Sequence, residues 1–406
     1  MPVPAAKTKW GGIADGRFRP AGFFRVGQCD GVCWLVDPDG GRFLSKGVNT
    51  VRFDQDAIQN SKRIPYAEAC GKKYGSESAW RTAAARRLAS WGFNTLGSWS
   101  DEAVATAAPV PLAVTHNLDL GMSFAWQTND RAGSGPKQDF PDVFDPAFET
   151  HVLRRAREHC AARSGEPGLI GWFIDNELRW GADWRGPDEL LTLFLRLSSS
   201  TPGRIAAADW LRQRHDGDPT AADGAAFAGL LADRYFALTV AAIKAADSNH
   251  LVLGSRFAFP PARGVIEAAG RHLDVISFNC YGPDANGALD AYAATGKPCL
   301  IGEFSFRAAD SGLPNTNGAG PMVATQAERA VAFTHYVTEG LRRRTLVGYH
   351  WFEHADQPAE GRFDGENSNF GTVTIDDRVY EELTRTMASV NAEAENLHAA
   401  AAGVAA

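Results

Sequence analysis

Eight short apolar runs recur along the 406-residue chain, alternating with stretches of helical periodicity. This alternation is typical of βα units, whose strands pair into a parallel sheet. Eight parallel strands favour an α/β fold of the (β/α)8 TIM-barrel type. The predicted strands end at Asn49, Trp99, Leu120, Glu177, Ser255, Tyr281, Glu303 and Trp351.

The segments around these strands complete the predicted architecture. Apolar residues recur at three- and four-residue spacing over 79–91, 147–163, 225–246, 325–344 and 381–394, which predicts outer helices. The stretch 181–247 is longer than one barrel helix needs, so one or two helices are expected after the fourth strand. The turn sequence DPDGG predicts an N-terminal β-hairpin. We therefore expect an N-terminal extension with a hairpin over 1–42, the barrel over 43–395 and a disordered alanine-rich tail over 396–406.

Charge and composition argue against several classes of partner. The formal net charge is −7 and the basic residues are dispersed, which does not suit a nucleic-acid surface. No run approaches eighteen apolar residues and the first residues lack a signal-peptide core, so no membrane partner and a cytoplasmic location are expected. Removal of a leader would instead fit a secreted or periplasmic protein. Six scattered cysteines do not suggest disulfides, and neither a metal nor a cofactor is expected.

Two glutamates, Glu177 and Glu303, each end an apolar run. Residues at the carboxyl ends of barrel strands line the mouth of the barrel, so the two carboxyl groups are expected to face each other there. A carboxylate nucleophile and a protonated carboxyl group about 5 Å apart form the machinery of a retaining glycosidase. For Glu177, the alternative is a structural ion pair with Arg179 or Arg52.

The motifs at the strand ends resemble those of glycoside hydrolase clan A, and in particular those of the family 50 β-agarases. The matching stretches are WLVDPDGGRFLSKGVN, DNELRWG, GKPCLIGEFSF and VGYHWFEHADQPAEGRFDGENSNFGTVTIDD. The resemblance implies that Glu177 is the acid/base, Glu303 the nucleophile and Asn176 the partner of the sugar 2-hydroxyl. It also implies that Tyr281 hydrogen-bonds the nucleophile and that Trp351 forms a platform beneath the sugar.

Further polar and aromatic residues at or beyond the strand ends are candidate substrate contacts. The alternative for those that follow the eighth strand is a loop network that shapes the strand end. Arg52 and Arg307 are candidates to contact substrate or to hold the carboxylates. The candidate substrate contacts are Asn49, Trp99, His116, His350, Glu353, His354, Asp356, Gln357 and Asn367.

These observations predict a retaining β-glycoside hydrolase that cleaves β-linked, galactose-containing oligosaccharides by double displacement. Two alternatives stay open at this point. One is a clan A hydrolase for another β-linked oligosaccharide, such as a β-glucan or plant galactan fragment. The other is a barrel that binds an oligosaccharide without cleaving it. A transglycosylase would share the covalent intermediate. The oligomeric state is left open.

Overall fold

A computed structural model describes residues 6–107, 110–128 and 140–403. It opens with an antiparallel sheet of β1 (Arg25–Cys29), β2 (Val32–Val36) and β3 (Arg42–Phe43). The predicted DPDGG turn joins β2 to β3, and a second turn joins β1 to β2. Apolar side chains of this sheet, including Leu35 and Phe43, form one buried cluster with residues at the amino-terminal ends of the barrel strands. The sheet therefore covers that end of the barrel, away from the mouth.

The eight predicted strands form one parallel sheet, which confirms the predicted TIM-barrel fold. Going round the sheet, the order is β8, β7, β6, β5, β4, β13, β10 and β9. A parallel bridge between Phe257 and Phe278 brings the two outermost strands together. The chain segment that connects β10 to β13 contains a separate two-stranded parallel sheet of β11 (Arg307–Ala308) and β12 (Met322–Val323). The barrel strands are β4 (Ser45–Val48), β5 (Thr95–Leu96), β6 (Ala113–Asn117), β7 (Leu169–Phe173), β8 (Leu251–Gly254), β9 (Ile276–Asn279), β10 (Cys299–Phe304) and β13 (Leu346–Trp351).

Helices surround the barrel, and several begin at side-chain caps that the sequence supplies. Ser76 caps α2, Asp145 caps α4, and Thr220 with Asp223 forms a capping box at the start of α7. The two helices added after the fourth barrel strand are present as α5 and α6, as predicted. The helices are α1 (Pro65–Tyr74), α2 (Glu77–Ser90), α3 (Leu120–Gln127), α4 (Pro146–Cys160), α5 (Leu190–Leu195), α6 (Pro202–Arg212), α7 (Ala221–Ala246), α8 (Arg263–His272), α9 (Asn286–Ala293), α10 (Gln326–Leu341) and α11 (Glu381–Ala400).

The carboxyl-terminal segment differs from its prediction as a disordered tail. Helix α11 continues to Ala400, and a 3-10 turn follows over Ala401–Gly403. The side chain of Arg344 donates to the carbonyl oxygens of Ala401 and Ala402, at 3.1 and 3.0 Å. The ring of His398 contacts the carbonyl oxygens of Leu341 and Cys33. These polar contacts hold the segment against the barrel, although its weak apolar pattern does not predict packing on the fold. Residues 404–406 lie outside the described residues.

Helix α7 is the one helix, among the described residues, that is long and apolar enough to cross a bilayer. Half of its most apolar stretch is buried inside the protein. It packs against α4 and α8, and its side chains Phe227, Leu231 and Tyr235 are fully buried. Packing within the fold therefore accounts for its apolar composition.

Candidate active site

The chain that follows β7 is fixed by a buried carboxylate, that of Asp175. This carboxylate accepts the backbone N–H groups of Gly121 and Met122, at 2.7 and 2.8 Å, and the hydroxyl of Tyr235. Burial and the nearby Asp119 raise the pKa of Asp175 to about 7. These contacts tie the end of β7 to helices α3 and α7. Two residues later, Glu177 adopts the left-handed backbone conformation with φ of 51°.

The side chain of Glu177 lies in the mouth of the barrel. Its Oε1 accepts a hydrogen bond of 2.8 Å from the amide of Asn279 at the end of β9. Burial, and after it the negative charge of Glu303, raise the pKa of Glu177 to about 7. The carboxyl group is therefore largely protonated below neutral pH, as a proton donor requires.

Glu303 lies opposite, on β10, and is 5% exposed. The hydroxyl of Tyr281 donates to its Oε2 at 2.6 Å, and the guanidinium of Arg256 forms an ion pair with its Oε1. Burial and the charge of Glu303 raise the pKa of the Tyr281 hydroxyl well above its ordinary value, so that hydroxyl keeps its proton and donates. Two donors on one carboxylate suit an anionic nucleophile.

Arg256 joins the strand ends that carry the site, and the sequence reading missed it. Its guanidinium is fully buried and donates to the side chains of Asn176, Ser98 and Glu303 and to the carbonyl oxygen of Gly302. The bond to Asn176 Oδ1 measures 2.7 Å. The signal was available in the sequence, because Arg256 immediately follows the predicted end of the fifth barrel strand.

The three arginines that the sequence suggested as partners of the carboxylates or of the substrate make other contacts. Arg52 pairs with Asp54. Arg307 donates to backbone carbonyl oxygens of its own loop and to Ser368. Arg179 donates to three carbonyl oxygens in the loop 181–188. None of these three has a hydrogen bond or ion pair with Glu177 among the contacts of the described residues.

Trp351 does not form a platform in the mouth, which corrects the prediction. Its side chain is fully buried, and its indole N–H donates to the carbonyl oxygen of Phe370 at 2.9 Å. The physical reason is the alternation of side chains along β13. His350 contacts Ser45 Oγ inside the barrel, so Trp351 points outward into the helix layer, where its ring meets that of Phe333.

Phe352 is the aromatic residue that follows β13 on the side of the carboxylates. Its ring lies 6.2 Å from the ring of Tyr281, edge to face. It is 5% exposed, whereas the preceding tryptophan has no exposed surface. The aromatic ring that contacts the tyrosine bound to Glu303 therefore comes from the residue after the one predicted as the platform.

Asn49 and His350 are at the strand ends but are fully buried beneath the mouth. The Asn49 amide donates to the carbonyl oxygen of Gly302 at 2.9 Å and accepts the N–H of Ser98 at 2.8 Å. Burial lowers the pKa of His350 to about 3, and a Cβ at Gly47 would overlap its ring. Both side chains brace the strands and have no surface for a sugar, which corrects their prediction as contacts.

Most predicted contacts that follow β13 form a buried network. Gln357 donates to Glu353 and Glu366 at 3.0 and 2.9 Å. Asp356 accepts from Asn369 Nδ2 and from the N–H of Gly371 at 2.8 and 2.9 Å. These residues therefore form the loop network that was predicted as the alternative to substrate contact.

Two more residues of that region serve the same loops. The ring of His354 packs edge to face against Tyr66 and Trp80, and burial lowers its pKa to about 3. Asn367 Oδ1 accepts the backbone N–H groups of Thr316 and Asn317, both at 3.0 Å, and so joins two loops. Full burial excludes the histidine from substrate contact, whereas Asn367 is partly exposed.

Trp99 and His116 are the predicted contacts that border an open cavity. They line a pocket of about 100 Å³ at the ends of β5 and β6, together with Asn117 and Asp119. Trp99 is 36% exposed, and the guanidinium of Arg256 lies 4.9 Å from the center of its ring. The pocket therefore adjoins the arginine that holds Glu303. Within the described part of the chain, no group of His, Cys, Asp or Glu side chains could hold a metal ion.

No protein-family model matches the chain. Beta-agarase A of Vibrio sp. (strain JT0107) is 31% identical over 459 residues, a match that spans 90% of this chain and 45% of the relative. Beta-agarase B of the same strain is 27% identical, over 95% of this chain and 50% of the relative. The crystal structure of an agarase, AgWH50C, superposes with a TM-score of 0.82 at 25% identity, covering 97% of this chain and 66% of that one.

The chain thus spans about half the length of the curated relatives it matches. The matches extend over almost all of this chain, so the likeness includes the barrel and its mouth. The protein is related to agarases in sequence and in fold.

Proposed function

We propose that the protein is a retaining glycoside hydrolase of the agarase type, which cleaves a β-linked, galactose-containing saccharide. The observation that carries the proposal is the contrast between two carboxyl groups in one mouth. Glu303 is held by Arg256 and Tyr281, whereas burial and the Glu303 charge keep the pKa of Glu177 at about 7. One anionic and one protonated carboxyl group are what double displacement needs.

In the first step, a carboxylate oxygen of Glu303 attacks the anomeric carbon and the glycosidic C–O bond breaks. Glu177 gives its proton to the departing oxygen, which leaves as a hydroxyl group. In the second step, the carboxylate of Glu177 takes a proton from water, and the water oxygen attacks the anomeric carbon. The ester bond to Glu303 breaks, which restores both side chains.

The charge coupling between the two side chains supports this exchange of roles. When Glu303 forms an ester, its negative charge is lost, and with it one cause of the raised pKa of Glu177. Glu177 then gives up its proton more readily and acts as the base of the second step. Asn176 Oδ1 accepts from Arg256 and Asn279, so its amide nitrogen is the group left to donate to a sugar hydroxyl.

The choice of substrate rests on the relatives, two of which are named beta-agarases. We infer membership in clan A from the acid/base that follows the fourth barrel strand and the nucleophile on the seventh, and membership in family 50 from the likeness to agarases.

The test is mass-spectrometric product analysis after incubation with neoagaro-, β-1,4-galacto- and β-gluco-oligosaccharides, with Glu303→Gln as the inactive control. Cleavage of the neoagaro-oligosaccharides that is lost in Glu303→Gln is the expected result. Cleavage of another set alone would replace the substrate and keep the mechanism. Binding without turnover, unchanged in Glu303→Gln, would overturn the hydrolase and favor a binding protein.

A further inference from the structure

A second pocket, of about 190 Å³, opens beside the acid/base. Its lining begins at Leu178, the residue after Glu177, and includes Arg185, Glu189 and Phe259. An enclosed void of ~150 Å³ accepts a benzene ring, so this volume suffices for one six-membered sugar ring. The pocket is thus large enough for a monosaccharide unit.

An exposed aromatic ring, that of Phe259, lines this pocket, and a second exposed ring, that of Trp184, packs against it from outside the lining. Phe259 is 60% exposed and Trp184 is 58% exposed, and their rings meet edge to face at 5.6 Å. The guanidinium of Arg185 lies 4.3 Å from the center of the Trp184 ring. Large exposed aromatic side chains that adjoin a cavity are a feature of binding sites rather than of ordinary surface. An exposed ring face suits the C–H face of a pyranose.

The pocket lies on the side of the acid/base. Arg185 donates to the carbonyl oxygen of Glu177 at 2.7 Å, which ties the pocket wall to the catalytic backbone. The residues that hold Glu303, namely Arg256 and Tyr281, are not among its lining residues. In double displacement the acid/base faces the departing half of the substrate, so a pocket beside it meets that half.

We propose that Phe259 and Trp184 form a binding site for the sugar unit on the leaving-group side of the cleaved bond. This proposal rests on the proposed function. The aromatic rings contact the apolar face of the sugar, and the polar groups of Arg185 and Glu189 in the pocket lining meet its hydroxyl groups. The occupant is the sugar unit that begins the departing half, which in neoagarotetraose is 3,6-anhydrogalactose.

The experiment compares two substrates that differ in the departing half. Neoagarotetraose carries sugars on the leaving-group side, whereas neoagarobiosyl β-fluoride carries a fluoride there. The readout is the ratio of kcat/KM for the tetrasaccharide to kcat/KM for the fluoride. Phe259→Ala and Trp184→Ala are each expected to lower this ratio about tenfold. Val331→Ala, at a 69% exposed position on α10, is the matched surface control and leaves the ratio unchanged.

An unchanged ratio in both aromatic variants would overturn the proposal, as would an equal loss on both substrates, which indicates a structural role. Calorimetric titration of neoagarotetraose into Glu303→Gln separates this proposal from the proposed function. If the wild-type protein hydrolyses neither substrate, about tenfold weaker binding after the aromatic substitution in the Glu303→Gln background still supports the site. Equal binding, or none, overturns it. Circular dichroism confirms that each variant is folded.

Discussion

The pKa of Glu177 is predicted to fall when the charge of Glu303 is removed by Glu303→Gln. Burial is the first cause of its rise to about 7 and the Glu303 charge is the second. Two unit charges about 5.5 Å apart, the gap that retention requires, interact by about 3 kcal/mol at an effective dielectric constant of about 20. That energy corresponds to about 2 pKa units and is an upper bound, because burial contributes more. The expected pKa in Glu303→Gln is between about 5 and about 6.

The measurement is a carbon NMR titration of protein labelled at the glutamate carboxyl carbons. A Glu177→Gln sample assigns the resonance, because that signal disappears in it. Glu360→Gln, which removes an exposed glutamate of the loop after β13, is the matched control and leaves the titration of Glu177 near pH 7. If the midpoint also stays near 7 in Glu303→Gln, the charge of Glu303 does not raise the pKa of Glu177 and the two carboxyl groups do not interact as proposed.

Other predictions follow from the same contacts. Because the acid must be protonated, kcat/KM of the wild-type protein is expected to fall as pH rises through about 7, the pKa of Glu177. Asn279→Ala removes a hydrogen bond that lowers this pKa, so the alkaline limb of the pH profile moves to higher pH. Tyr281→Phe removes a hydrogen bond to the Glu303 carboxyl group, and kcat/KM is expected to fall about ten- to hundredfold with folding retained. Asp377→Asn weakens the ion pairs that a fully buried carboxylate forms with the partly exposed Lys73 and Arg87, and the free energy of unfolding in urea is expected to fall by about 3 kcal/mol. The exposed Asp376→Asn should change it by less than about 0.5 kcal/mol.

The barrel could be predicted from the sequence because the same pattern, an apolar strand followed by a helical stretch, recurs along the chain. Each buried strand is a short apolar run, and a strand end that carries a glutamate after such a run, as at Glu177 and Glu303, is easily recognised. The added helices after β7 could be predicted from length alone. These features depend on local pattern, which the sequence displays directly.

The features that the sequence predicted wrongly or missed depend on the direction of side chains and on contacts between residues far apart in the chain. Side chains along β13 point alternately into the barrel and out to the helices. Because His350 points into the barrel, Trp351 points outward. The sequence alone does not show which residues of the strand point inward. The position of Arg256 at a strand end is visible in the sequence, but the side chains it contacts lie 158, 80 and 47 positions away, so no local pattern reveals these contacts. The docking of the tail depends on Arg344, which is far from it in sequence.

The most direct test of the central claim, that Glu303 is the nucleophile of a retaining reaction, is to trap the covalent intermediate. The protein is incubated with the 2-deoxy-2-fluoro analogue of neoagarobiosyl β-fluoride, and the labelled peptide is identified by mass spectrometry. We expect one added glycosyl group, carried by Glu303. A label on another residue, or turnover of the parent sugar fluoride without any label together with inversion of the anomeric center by proton NMR, would contradict it.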